Sequence, residues 1–243
     1  DTGTRNGWNA VGNPFTSAIG ITAGASTSEN FLSRNADILE DTYGAVYVWN
    51  QTGPYDGSQQ YYRAIGNSGY NFSDFEYFSG QDPDYLQAGQ GFLINVRDNA
   101  KAVFSGKMQV HQPEVRIKSA REKWHGLILT ATAGMLIRRT ALAFHEEMTT
   151  GLDKTFDVGL LSFGGFSLYT RLVEEDNGAG FEIQCLPEHQ YSSLVIPVNL
   201  ELTEGGPVTL RVSGLVLPED WFPVLEDRLL LHSISLRDEN NNY

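Results

Sequence analysis

The stretch Ser193-Leu194-Val195-Ile196-Pro197-Val198-Asn199-Leu200-Glu201-Leu202-Thr203-Glu204-Gly205-Gly206-Pro207-Val208-Thr209-Leu210-Arg211-Val212-Ser213 decides the fold class. Leu194, Ile196, Val198, Leu200 and Leu202 recur at every second position, with polar residues, Val195 and Pro197 between them. That is the period of a strand with one buried face. Beyond the Gly205-Gly206 turn, Val208, Leu210 and Val212 alternate with Thr209, Arg211 and Ser213. Two such runs around a Gly-Gly turn predict an antiparallel hairpin. Pro197 has no N–H to give a ladder, which predicts an edge or a bulge for the first run.

The same period recurs outward along the chain. In the second half it predicts strands at Gly126–Ala133, Thr140–His145, Phe156–Leu161, Ser167–Arg171, Gly180–Leu186 and Leu229–Leu236. Short strands at regular spacing, with turn residues between them, predict a β-sandwich. The first half gives Gly7–Gly12, Ala45–Asn50, Tyr61–Ile65, Gly91–Arg97, Lys101–Phe104 and Val115–Ser119. Only Ser28–Asp41 carries a helical pattern, with Ser28 as its cap and Phe31, Leu32, Asn35, Ile38 and Leu39 on one face. The expectation is an all-β protein of two β-sandwich-like domains in tandem, with one short helix in the first. Residues 1–110 are rich in Asn, Gly, Tyr and Phe, whereas residues 120–243 are rich in Leu and Val. The shift places a boundary in the Pro-containing, charged stretch His111–Lys123, dividing the chain into 1–118 and 119–243.

The chain has 243 residues and a formal net charge of −13, with 30 acidic against 17 basic side chains. At 41% hydrophobic residues it can bury a real core, which excludes general disorder. The acidic balance argues against nucleic acid as a partner, and no apolar run reaches the ~20 residues of a membrane span. The single cysteine, Cys185, permits no internal disulfide, and its place in the alternating run Gly180–Leu186 makes it a buried hydrophobe. A start at Asp1, without initiator Met or leader, reads as a segment of a longer protein.

Several fragments in fixed order carry a resemblance. They are Gly7-Trp8-Asn9-Ala10-Val11-Gly12-Asn13-Pro14-Phe15, Ala45-Val46-Tyr47-Val48-Trp49-Asn50, Ala88-Gly89-Gln90-Gly91-Phe92-Leu93-Ile94, Val103-Phe104 with His111, Arg139–Glu147 leading to Gly151-Leu152-Asp153 and Phe156-Asp157, and Leu225-Glu226-Asp227-Arg228. This order resembles the β-rich region before the C-terminal sorting domain in many Bacteroidetes surface and secreted proteins exported by type IX secretion. The resemblance implies an extracellular or cell-surface location on a bacterium and a non-catalytic module joining adhesive or enzymatic parts to an anchor. It also implies a final β segment beyond Tyr243. It carries no catalytic residue onto these positions. From their own patterns, Trp8 and Trp49 lie within apolar strands and are expected in the core.

Enzyme signatures are sparse. No Gly-x-Ser-x-Gly elbow, phosphate-cradling loop or dinucleotide fingerprint occurs, and His111, His125, His145, His189 and His232 lack metal-ligand spacing. Paired carboxylates for glycoside hydrolysis leave no spacing signature; Asp82/Asp84, Asp153/Asp157 and Glu174-Glu175-Asp176 are the candidates, with turn caps and a hairpin tip as the plainer reading. No cofactor is implied, though Glu174-Glu175-Asp176, or Asp82 and Asp84, leave room for a structural calcium.

The most informative cluster is aromatic: Tyr55, Tyr61, Tyr62, Tyr70, Phe72, Phe75, Tyr77, Phe78 and Tyr85 lie within 31 residues, interleaved with Gly, Ser, Asn, Gln and Asp. Three uses fit: packing within the loops, stacking on sugar rings, and protein contact. A stacking site would use Tyr61, Tyr62, Tyr70 and Tyr77. The function expected is carbohydrate binding through this face, with a glycan or another surface protein as partner. The alternatives are a structural spacer or adhesion stalk, in which the rings are core, and a glycan-active hydrolase.

Overall fold

A computed structural model of the chain describes residues 7–49, 62–68, 84–110, 124–161, 164–189 and 193–237. The fold is all-β with a single short α-helix. The first half contributes β1 (Trp8–Gly12), β2 (Ile19–Gly20), α1 (Phe31–Asn35), β3 (Val46–Trp49), β4 (Tyr62–Ile65), β5 (Tyr85–Leu86) and β6 (Gly91–Asn95). The second half contributes β7 (His125–Ala133), β8 (Leu136–His145), β9 (Val158–Gly159), β10 (Phe166–Thr170), β11 (Phe181–Pro187), β12 (Val198–Leu202), β13 (Thr209–Val216), β14 (Val224–Asp227) and β15 (His232–Ser235).

An antiparallel sheet runs β1-β6-β3-β4. A larger sheet runs β12-β10-β11-β8-β7-β13, with β9 added to β11 and the β8–β11 pair parallel. β2–β5 and β14–β15 form two small ribbons.

Three apolar clusters alternate with the two main sheets. The first lies on the α1 side, where Phe31 and Leu32 pack with Val46, Val48, Ile65, Phe92 and Ile94. The second lies between the sheets and joins Ala45, Tyr47, Tyr62 and Ala64 to Ile128, Ala141, Ala143, Val158, Ile183 and Cys185. The third, on the far side of the larger sheet, gathers Leu127, Leu129, Leu142, Phe144, Phe166, Leu168 and Leu186. The expected boundary at His111–Lys123 lies outside the described residues. The second cluster draws on both sides of it, so the two halves share one apolar core.

The helix is shorter than Ser28–Asp41. Asn30, in extended conformation, caps it by accepting from the Ser33 N–H. Asn35 ends it, because its side chain turns to donate to Phe31 O and Val103 O and to accept from the Val103 N–H. Leu39, expected on the helix, instead bridges to Val96.

The expected hairpin across Gly205-Gly206 is not formed. β12 pairs with β10 and β13 with β7, at opposite ends of the larger sheet. Five strand spacings of ~4.8 Å would separate them in a flat sheet, about the full stretch of the seven residues from Leu202 to Thr209. That link contains a turn, with Gly205 at φ 63°, so the sheet must curl. Val198, Leu202, Leu210 and Val212 from its two ends accordingly pack on the same third cluster. Alternation found both strands, although the first begins only at Val198, and said nothing of their neighbours. Pro197 does mark an edge strand.

Among the smaller expectations, Lys101–Phe104 enters no strand, and Phe156–Leu161 pairs only over Val158–Gly159. The last strand begins at His232 and pairs with the unexpected Val224–Asp227. Val115–Ser119 lies outside the described residues.

Where the sheets meet, backbones approach closely. A Cβ on Gly159 would stand 2.6 Å from the Tyr43 ring, while the Gly159 N–H donates to Thr42 O at 2.9 Å and Gly159 O accepts from the Tyr47 hydroxyl at 2.8 Å. Gly159→Ala is therefore expected to cost about 1–3 kcal/mol by overpacking, read as a lower urea midpoint with an unchanged m-value.

Candidate functional site

The aromatic face expected from sequence is anchored by β3 and β4, which pair Trp49 with Tyr62 and Tyr47 with Ala64. Side chains at alternate positions share a face, so Tyr47, Trp49 and Tyr62 project from the same side, towards the larger sheet. Tyr62 is 2% exposed and belongs to the second cluster; its ring centroid lies 6.0 Å from that of Tyr47. Trp8 meets Tyr47 edge-on at 4.9 Å and Tyr43 at 5.4 Å. Tyr62 is thus a packing ring. Tyr61, Tyr70 and Tyr77 lie outside the described residues.

Trp49, expected in the core, is 50% exposed. It is the last residue of β3, two positions beyond Tyr47. Residues 50–61, which connect it to Tyr62, hold Asn50, Gln51, Thr52, Tyr55, Asp56, Ser58, Gln59, Gln60 and Tyr61. Trp49 is the functional candidate that sequence reasoning missed. The missed signal was its place as the final apolar residue before the polar sequence Asn50-Gln51-Thr52, because alternation gives the face of a strand and not the extent of its burial.

Asp84, offered as a calcium ligand, is buried and accepts from the Thr22 hydroxyl. Its carbonyl accepts from the Ile21 N–H at 2.7 Å, and the neighbouring Tyr85 hydroxyl accepts from the Ser26 N–H at 2.7 Å. These bonds clamp the turn at residues 21–27. Asp82 lies outside the described residues. Among the described residues no three His, Cys, Asp or Glu side chains gather as metal ligands would.

The other carboxylates also serve as hydrogen-bond acceptors within their loops. Glu174-Glu175-Asp176 lies in the connection of β10 to β11, where Asp176 accepts from the Gly178 N–H at 2.8 Å and Glu174 from the Thr150 hydroxyl at 2.5 Å. Asp153 accepts from the Thr149 N–H at 2.7 Å. Asp157 is fully buried and accepts from the Cys185 N–H at 2.6 Å and the Asp153 N–H at 2.7 Å. It staples the loop before β9 to the middle of β11. Burial pushes its carboxyl up to about 8, against the pull of the two N–H donors and with a small further push from Asp153. Burial likewise holds the Cys185 thiol well above its ordinary range, and its S–H points to Phe156 O at 3.4 Å, a structural thiol.

Over residues 1–222 the chain matches the family described as Domain of unknown function (DUF8693), and it belongs to that family. No curated protein and no solved structure matches it.

Asp157 makes stability depend on pH. Its folded carboxyl titrates about 8, above the ~3.9 of an unfolded aspartate. Its contribution is therefore fully present below about pH 4 and lost as pH rises through 8. Denaturant midpoints should fall between pH 5 and 9. Asp157→Asn should flatten that slope while lowering stability at pH 5 by about 1–2 kcal/mol, since its amide NH2 faces one of the two N–H donors.

Proposed function

We propose that the chain is a non-catalytic β module of a bacterial surface or secreted protein, and that it contacts carbohydrate through the rim around Trp49. The observation that carries this is the half-exposed Trp49 ring at the end of a row whose other rings are locked in core. A large flat apolar face suits a sugar ring, whose C–H face stacks on it, and the sequence that follows Trp49 is rich in amide side chains of the kind that hydrogen-bond sugar hydroxyls. A net charge of −13 favours neutral over anionic glycans. The surface location rests on the resemblance to the type IX secretion proteins. No described helix is long and apolar enough to cross a membrane.

A second reading, a structural spacer, is favoured by the burial of Tyr62 and by the core that the two halves share.

Affinity electrophoresis against neutral and acidic polysaccharides separates the two. On the binding reading at least one neutral glycan retards the protein, and Trp49→Ala abolishes the retardation at a stability cost of about 1–2 kcal/mol, that of a half-buried ring. Tyr62→Ala should instead lower stability by about 3–5 kcal/mol, the cost of an emptied buried aromatic site. Absence of retardation across the panel leaves the spacer, and retardation untouched by Trp49→Ala removes Trp49 as the contact.

A further inference from the structure

The larger sheet ends in β12, and the hydrogen bonding of that strand is resolved residue by residue. The Arg171 N–H donates to Pro197 O at 3.0 Å and the Thr203 N–H to Gly165 O at 2.9 Å. With the register Tyr169↔Asn199 and Ser167↔Glu201, the bonded pairs fall at residues 197, 199, 201 and 203. The N–H and C=O groups of Val198, Leu200 and Leu202 therefore point away from β10. Among the described residues no strand meets them. Their side chains share the face of Phe166, Leu168 and Thr170 over the third cluster, yet Leu200 remains 40% exposed. An open edge that is apolar on one face and unpaired in its backbone is the kind of strand that acquires a partner.

We propose that two copies of the chain pair edge to edge through β12, antiparallel and centred on Leu200. The strand is its own complement in this register. Val198 faces the partner's Leu202, Leu200 faces the partner's Leu200, and Asn199 faces the partner's Glu201. Each facing pair at positions 198, 200 and 202 has its free backbone groups directed outward, so about six new backbone bonds form without breaking any present one. The apolar side chains meet on one face. On the other, amide meets carboxylate and no glutamate faces a glutamate, and Glu201 is already held in place by the Tyr169 hydroxyl at 2.6 Å. This two-fold match singles out a second copy rather than an unrelated strand. The contact is short and belongs with weak interfaces, and a charge of −13 on each copy opposes it, so salt should promote it.

Sedimentation velocity on the whole chain from ~10 µM to ~1 mM should show a species of twice the 26.9 kDa monomer mass, more of it at high salt. Asn199→Glu should weaken the dimer about tenfold and Asn199→Lys strengthen it by a similar factor, because each variant faces Glu201 twice. Leu200→Cys should cross-link to a disulfide dimer under mild oxidation, since Cα atoms in such a pair lie ~5.5 Å apart and Cys185 is buried. Val198→Cys, displaced from the two-fold axis, should not. A single monomeric species throughout, a dimer indifferent to residue 199, or equal cross-linking through Val198→Cys would overturn the proposal. Binding of an unrelated strand to a monomeric chain would overturn it as well.

Discussion

A phenol hydroxyl buried between two sheets must find an acceptor there, because leaving it unpaired costs more than the ring gains in polar contact. Tyr47 meets that demand across the molecule: its strand belongs to the first half of the chain, its acceptor is Gly159 O in the second. The bond forms only if β9 lies against Tyr43 and Thr42, and only glycine at 159 allows so close an approach. On the opposing sheet Ala141, Ala143 and Cys185 are small, which leaves room for the rings of Tyr47 and Tyr62. Composition changes along the chain, but the apolar layer between the sheets does not respect the change.

Period-two alternation located most strands of the second half to within a few residues, although β10 and β11 are buried on both faces. It could not give their neighbours. The run from Leu194 to Val212 shows this most clearly. The Gly205-Gly206 turn suits a hairpin, yet β12 and β13 are drawn to β10 and β7, whose apolar faces they cover together. Pairing partners are chosen by long-range burial, which no local pattern records. The helix over-reached for a related reason: the Phe31 to Leu39 stripe is apolar but for Asn35, which spends its side chain on Val103, across the chain, and stops the turn.

Of the four rings expected to stack, Tyr62 lies in the core, and the other three lie outside the described residues. Aromatic excess between residues 55 and 85 pointed to this part of the chain, and the pattern of β3 placed Tyr47 and Trp49 on one face. Which ring that face buries depends on an apolar layer built with residues of β8, β9 and β11, far along the chain. Tyr62, paired with Trp49 in register, belongs to that layer, whereas Trp49 is half exposed. Asp157 was similarly visible as a carboxylate, while its work as a backbone acceptor for Cys185 depends on a contact between β11 and a distant loop.

Rigidity links the buried rings to the exposed one. Tyr47 is tied by a hydrogen bond, Tyr62 by packing, and both lie on strands of a sheet that a second sheet backs. A ring carried at the end of such a strand meets a ligand with its backbone already ordered. Contact then costs little beyond the freedom of one side chain with two torsions. On a loose loop the same ring would also have to order the loop, at roughly 1–2 kcal/mol for each residue fixed. Flat stacking against a sugar yields only a few such increments, so a weak ligand can be held by a ring on a strand and would be lost by a ring on a free loop. The welded core that makes the spacer reading natural is, for the same reason, what a displayed Trp49 would need.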